Sequence, residues 1–195
     1  MITLPLDHYS REYENFLDPE FCDSLMEKFD HVWENENKEA RNNSGCKGNC
    51  SACTCNRIDI NFHSQFKDDA SFIYSKIHEQ LKIYKHDVGL SFNQFPTETG
   101  YEAIRIKRYA ANKGQHESHV DVTNHASARR ILSFSVNLND DFEGGDLSFN
   151  LTRMRVKPQK GKLFIFPPLW PWLHAGETCF KKDKYFLGTY LIYKA

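Results

Sequence analysis

Apolar residues recur every three or four positions from Phe21 through Leu25, Met26, Phe29 and Val32 to Trp33. That spacing lays one face of a helix against a core. Asp18, Pro19 and Glu20 precede the run as an N-cap, a proline in the first turn and an acid at the positive end of the helix dipole. The pattern predicts a helix over residues 19–34. A second helical period through Phe72, Ile73, Ile77, Leu81 and Tyr84 predicts another over 68–85, with Gly89 as its stop. Between them, residues 35–56 are polar and cysteine-rich and read as a long loop. The alternation of Ile58, Ile60 and Phe62 then predicts a strand over 57–63.

From Tyr101 onward the period changes to two. Short strands are expected over residues 103–110, 117–122, 131–138, 146–151, 153–156, 162–166 and 184–193. Turn signals separate them, notably Glu143-Gly144-Gly145-Asp146 and Pro158-Gln159-Lys160-Gly161. Helices first and strands afterwards imply a mainly β protein with N-terminal helices (α+β), a sandwich or jelly roll braced by helical support. No internal repeat interrupts this plan. One domain over 1–195 is expected, with helical support and the cysteine-rich loop in 1–100 and the β core in 101–195.

Composition narrows the class. At 195 residues the chain is long enough to bury a sizeable core, and 40% hydrophobic with 26% charged residues is ordinary for a soluble protein. A net charge of −1 argues against general binding to nucleic acid or to an anionic membrane surface. Fifteen Phe suit sheets packed face to face. The start, Met1-Ile2-Thr3-Leu4-Pro5-Leu6-Asp7-His8, lacks the basic and long apolar segments of a signal peptide. The longest apolar stretch, 163–173, is short for a membrane span and carries three prolines. An intracellular, cytoplasmic location is expected, so the six Cys should be reduced thiols or metal ligands.

The candidate chemistry centres on His119-Val120-Asp121, followed 55 residues later by His174 and ten after that by Lys184. In a strand, residues i and i+2 share a face, so His119 and Asp121 can offer an imidazole nitrogen and a carboxylate oxygen to one ion. His174 on a distant strand would complete a two-histidine, one-carboxylate face with open positions opposite, the arrangement of non-haem Fe(II) oxygenases. An HxD pair alone is weak evidence in a chain with 9 His and 26 acids. Its surroundings give it weight.

Those surroundings begin at Arg108-Tyr109 and continue through His116-Glu117-Ser118-His119-Val120-Asp121 and Arg130-Ile131-Leu132-Ser133. Next come Leu138-Asn139-Asp140, Glu143-Gly144-Gly145-Asp146-Leu147-Ser148-Phe149 and Lys160-Gly161-Lys162-Leu163-Phe164-Ile165-Phe166-Pro167. His174-Ala175-Gly176 and Lys184-Tyr185 close the series. In order and in gaps these blocks resemble the 2-oxoglutarate- and Fe(II)-dependent dioxygenases, in their prolyl 4-hydroxylase-like branch, over about residues 104–193. The resemblance implies a double-stranded β-helix (jelly roll) core with iron held by His119, Asp121 and His174. It implies Fe(II), 2-oxoglutarate and O2 as cofactors, with ascorbate as a reductant. It also implies hydroxylation of an aliphatic C–H, foremost a peptidyl proline, coupled to conversion of the keto acid to succinate and CO2.

Charge agrees with that assignment, because an Fe(II) site with one carboxylate becomes anionic when a dianionic keto acid binds and so calls for a nearby cation. Lys184 stands at the family position for the basic residue that pairs the far carboxylate, on a strand expected to run alongside the distal His; Lys182 is the fallback. Tyr109 and Ser133 are candidate donors to the cosubstrate, since a buried phenol or hydroxyl needs a partner; a core Tyr or Ser bonded to backbone is the bland alternative. Arg130 either faces the substrate, as the matching family arginine implies, or lies on a surface strand. Trp172, in Trp170-Pro171-Trp172, either walls the substrate site or buries the rim. Gly144-Gly145 is turn punctuation, not catalysis.

Cys46, Cys50, Cys53 and Cys55 fall within ten residues and depart from the family pattern. They can close around a structural Zn, form a flexible reduced-thiol loop, since paired CxxC ribbons are absent, or serve in disulfides or a redox role. The resemblance implies that residues 35–56, a long loop before the barrel, are a candidate substrate lid, with any zinc fixing its shape. Cys22 and Cys179 read as buried. Two alternatives stay open beside the peptidyl-proline reading: the same chemistry on a free amino acid, another small molecule or a nucleobase, and a jelly-roll binding module without catalysis.

Overall fold

The computed structural model describes residues 6–36 and 55–194. Cys46, Cys50 and Cys53 therefore lie outside the described residues. Among the described residues there are two α-helices, α1 (Pro19–Glu36) and α2 (Lys67–Asp87). Each follows the predicted period: Cys22, Leu25, Phe29 and Val32 of α1 and Ala70, Ile73, Ile77, Leu81 and Tyr84 of α2 are buried. The predicted strand over 57–63 shortens to β2 (Asn56–Asp59), because the chain then coils into 3-10 turns at Ile60–Phe62 and Ser64–Phe66. Ile60 is buried there while Phe62 swings out, 79% exposed.

The remaining strands are β1 (Arg11–Tyr13), β3 (Thr99–Tyr101), β4 (Arg105–Tyr109), β5 (His116–His119), β6 (Arg130–Asn137), β7 (Glu143–Gly144) and β8 (Leu147–Phe149). They are followed by β9 (Arg155–Val156), β10 (Leu163–Phe166), β11 (His174–Gly176), β12 (Cys179–Phe180) and β13 (Lys184–Tyr193). Seven form one antiparallel sheet in the order β1-β10-β6-β13-β4-β2, with β3 also on β13; four form a second, β5-β11-β8-β9; β12 and β7 make a short ribbon. Glu143 and Gly144 therefore belong to a strand pair as well as to the expected turn, and both Gly144 and Gly145 have positive φ.

The large sheet is covered on both faces, and the period of two shows how. On β6, Leu132, Phe134 and Val136 join the helix-side core while Ser133, Ser135 and Asn137 line a cavity on the other face. On β4, Ile106 faces the helices, and Lys107 and Tyr109 face the cavity. On β13, Leu187 and Leu191 go one way, and Lys184, Phe186 and Tyr190 the other. Burial on both faces explains why β6 and β13 read as apolar runs broken by a few polar residues, whereas β4 keeps three basic residues. A smaller core of Phe149, Val156, Phe164, Phe166 and Trp172 joins the second sheet to β10 beside the cavity. Among the described residues no helix is long and apolar enough to cross a membrane.

Candidate active site

His119 and His174 are direct cross-strand partners at the β5–β11 pairing. Their ring centroids are 4.3 Å apart. Asp121 lies two residues past the end of β5, in a bend, not in the strand as the sequence predicts. Its carboxylate nonetheless returns to both rings, with Oδ1 3.5 Å from His119 Nε2 and Oδ2 3.9 Å from His174 Nε2. One ligand atom from each of the three lies within 4.8 Å of the others, a spacing that one metal ion can bridge.

Both imidazoles are oriented for a metal. His119 Nδ1 bonds the Glu117 carbonyl at 2.7 Å, and His174 Nδ1 bonds the Trp172 carbonyl at 2.8 Å. A carbonyl only accepts, so each Nδ1 carries the proton and each Nε2 presents its lone pair toward Asp121. Burial disfavours charge on His174 and holds its pKa below the usual value. Burial opposes ionisation of Asp121 as well, but the two neighbouring imidazoles and the Tyr190 hydroxyl favour the carboxylate and outweigh it, and its pKa falls. The donor set is thus two neutral nitrogens and one carboxylate, which suits Fe(II).

Asp121 is held by two residues from other strands, β6 and β13. Arg130 Nη1 donates to the Asp121 carbonyl at 2.8 Å, and the Tyr190 hydroxyl hydrogen-bonds its carboxylate. Arg130 is itself clamped by Glu102 at 2.7 and 2.9 Å, and its guanidinium lies 4.0 Å above the Tyr190 ring. Its guanidinium is therefore committed behind Asp121, and Arg130 is not among the residues lining the open cavity.

The cavity spans about 760 Å³, mouth included, and brings His119, Asp121, His174, Tyr109, Ser133 and Lys184 together. Lys184 is buried, and its Nζ donates to the Gly145 carbonyl at 2.6 Å. Its strand does not run alongside the distal His: β13 pairs with β3, β4 and β6 in the large sheet, and β11 sits in the other. The lysine thus lies across the cavity from His174, with burial pulling its pKa down to about 8. Asn137 adds a buried Oδ1 with no hydrogen-bond partner, which marks the cavity as a space for polar ligand or water. A dianionic keto acid with one end on the metal fits this lining.

Trp172 is not on the cavity wall. It is 6% exposed, packs with Phe149, Phe164 and Phe166, and gives its indole N–H to Ser10 Oγ at 3.3 Å; Trp170 is the exposed one at 75%. Cys55 is buried with Tyr109 and Cys179, while the other three cysteines of its cluster fall outside the described residues. Sequence reasoning missed Lys107, His116, Asn137 and Tyr190, all on the cavity. The signal was available as strand period: two residues before Tyr109, four after Ser133 and six after Lys184. His116 stacks on His119 with centroids 3.6 Å apart, and burial pushes its pKa down to about 3.

Residues 104–192 match the model of the 2OG-Fe(II) oxygenase superfamily. No curated protein matches the chain in sequence. Among solved structures, a viral collagen prolyl hydroxylase from Paramecium Bursaria Chlorella virus-1, in a 2OG complex, is 20% identical with a TM-score of 0.68, over 96% of this chain and 97% of that one. A Pseudomonas putida prolyl-4-hydroxylase is 15% identical with a TM-score of 0.65, over 96% and 94%. A Trichoplax adhaerens prolyl hydroxylase, in complex with a hypoxia inducible factor peptide fragment, is 13% identical with a TM-score of 0.67, over 95% and 84%. The fold is thus that of prolyl hydroxylase structures.

Proposed function

From the match of residues 104–192 to the 2OG-Fe(II) oxygenase superfamily model, we propose that the chain is such an oxygenase and that it hydroxylates an aliphatic C–H, foremost that of a peptidyl proline, with release of succinate and CO2. The observation that carries this reading is the facing of His119, Asp121 and His174 across one cavity from a buried lysine. We read the two antiparallel sheets as a double-stranded β-helix with the iron site between them. The prolyl preference rests on the likeness of the fold to prolyl hydroxylases, one of them with a bound peptide fragment.

His119 Nε2, His174 Nε2 and an Asp121 oxygen would hold the iron. Bound there, the metal supplies O2 activation driven by decarboxylation of the keto acid. The carbonyls of Glu117 and Trp172 fix both ring orientations, so no imidazole must turn as the metal enters. Lys184 would take the far carboxylate of the cosubstrate, and Tyr109 and Ser133, on the same cavity, would donate hydrogen bonds to it. Phe164, Phe166 and Leu147 keep the opposite wall apolar and limit water around the reacting centre. No side chain is required as acid or base; the protein's work is to position and to exclude water.

The test is anaerobic titration of Fe(II) and 2-oxoglutarate into the wild type and His174→Ala, following the weak visible band of a metal-chelated keto acid. A band in the wild type that His174→Ala abolishes supports the reading. A folded wild type that shows no band overturns it.

A further inference from the structure

A side compartment adjoins the cavity between β4, β6 and β13. Arg105, Lys107, Ser133, Ser135, Gly188 and Tyr190 line it, over an empty volume of about 270 Å³ with its opening included. Lys107, Ser133, Ser135 and Tyr190 line the main cavity as well, so the two spaces share a wall beside the proposed iron ligands.

Its charges are one-sided. Arg105 pairs through Nη2 with Glu102, yet its Nε is buried and has no partner. Lys107 has no ion pair or hydrogen bond among the described residues, although its charge is felt at His116 and His174. Glu102 is already shared between Arg105 and Arg130. Glu177, on the main cavity, is taken by Arg155. On the oxygenase reading, the charges of Fe(II), Asp121, Lys184 and a dianionic keto acid cancel. Lys107 is then left without an anion, while Arg105 and Arg130 share the single carboxylate of Glu102. A surplus of half-buried positive charge beside one buried, unpartnered guanidinium N–H is what an anion site looks like before its ligand arrives.

We propose that this compartment binds a carboxylate carried by the substrate, with Lys107 and Arg105 as its charged contacts and Ser135 as a neutral donor. The C–H bond oxidised at the neighbouring iron then lies close to that carboxylate. The inference rests on the 2-oxoglutarate-dependent reading and deepens it by naming the substrate as anionic. The carboxylate comes from one of two sources: the main-chain carboxylate of a free amino acid, or an acidic side chain beside the reacting residue of a peptide. A site built on charged donors rejects the matching amide, because the amide leaves those donors unpaired.

The experiment uses the full chain loaded anaerobically with Fe(II) and saturating 2-oxoglutarate. Propionate and its neutral isostere propionamide are titrated by calorimetry into wild type, Lys107→Met and Lys107→Arg, while the visible keto-acid band is recorded. The expected result is that propionate binds the wild type at least tenfold more tightly than propionamide, with the band retained. Lys107→Met should erase that preference, Lys107→Arg should restore it, and affinity for 2-oxoglutarate should change less than twofold in either variant. Equal binding of propionate and propionamide, or a preference that survives Lys107→Met, overturns the proposal. So does a loss of 2-oxoglutarate affinity in Lys107→Met, or displacement of the band by propionate, since either puts Lys107 in the cosubstrate site. Absence of the band in the loaded wild type is a failure of the oxygenase reading and is seen before any propionate is added. Two further pairs then assign the source: L-proline against L-prolinamide, and acetyl-Pro-Asp-amide against acetyl-Pro-Asn-amide. The pair whose acidic member binds preferentially identifies the source and supports the proposal; no preference in either pair overturns it.

Discussion

Lys184→Met tests the proposed cosubstrate anchor with little change of shape. Lys184 opens β13 at 7% exposure, and its ammonium gives one N–H to the Gly145 carbonyl. An ammonium has three N–H donors, so two remain for a ligand carboxylate. Methionine keeps the apolar stem and removes the charge. Removing one partner of a buried ion pair costs about 3–5 kcal/mol, because the other charge stays buried. Chelation to the metal is untouched, so the lower figure applies. At about 1.4 kcal/mol per decade, the Kd for 2-oxoglutarate rises roughly a hundredfold. Lys182→Met serves as control, since Lys182 lies on the surface paired with Asp141 at 2.6 Å.

The same lysine predicts a pH dependence. Burial pulls its pKa down to about 8 in the ligand-free protein. A bound carboxylate favours the protonated form and raises that pKa. Below about pH 8 the ammonium is already charged, and affinity is flat. Above it, binding takes up a proton, so affinity for 2-oxoglutarate falls by up to about tenfold per pH unit until the raised pKa of the complex is reached. Anaerobic titrations at several values from pH 7 to 9.5, in wild type and Lys184→Met, read both effects from the keto-acid band. The wild type should show the break and the variant should lose it. A Kd change below about threefold in the variant, with the same pH profile as the wild type, would falsify the anchoring role.

Tyr190→Phe removes the hydroxyl that holds Asp121 and keeps the ring under Arg130. Affinity for Co(II), followed by its visible spectrum without cosubstrate, should weaken about tenfold, in the range for loss of a ligand's hydrogen-bond partner; unchanged affinity refutes the positioning role. Gly161 has φ +74°, and a Cβ there would collide with the Leu17 carbonyl oxygen. Gly161→Ala should therefore lower the free energy of unfolding by more than about 2 kcal/mol in urea titrations, and a neutral outcome would show that this turn yields. Phe134→Ala, at a side chain 1% exposed between β6 and the helices, should cost about 3–5 kcal/mol in the same assay.

Much of the fold was legible because the helices carry a clean period of three and four. Cys22, Leu25, Phe29 and Val32 occupy the buried stripe that the spacing requires. The β half was legible in outline and weaker at its ends. Strands of two or three residues, such as Glu143–Gly144, Thr99–Tyr101 and Cys179–Phe180, are too short to show an alternation. Thr99–Tyr101 forms on the edge of the long strand β13, and Glu143–Gly144 and Cys179–Phe180 form by pairing with each other across 35 residues of chain, tertiary causes that local pattern does not contain. The strand predicted over 57–63 shows the same limit. Ile58 and Ile60 are both buried, but a 3-10 turn carries Phe62 outward where an unbroken strand would have kept it on their face.

Asp121 shows most clearly what the sequence could and could not reveal. The i, i+2 rule places it with His119 on one face of a strand, and the two do meet, but the ladder stops at His119. What returns the carboxylate to the imidazoles is a pair of residues from β6 and β13. Arg130 grips its main chain and Tyr190 its side chain, and Glu102 fixes Arg130 in turn. The strand rule thus named the right residues and missed the elements that hold them. Because those elements also form the wall of the cationic side compartment, Tyr190 touches both the proposed metal ligand and the proposed substrate site. A substrate carboxylate settling beside Tyr190 would reach the hydroxyl that orients Asp121. On that proposal substrate binding and metal-ligand geometry would be coupled through that one phenol, a link that no motif of adjacent residues contains.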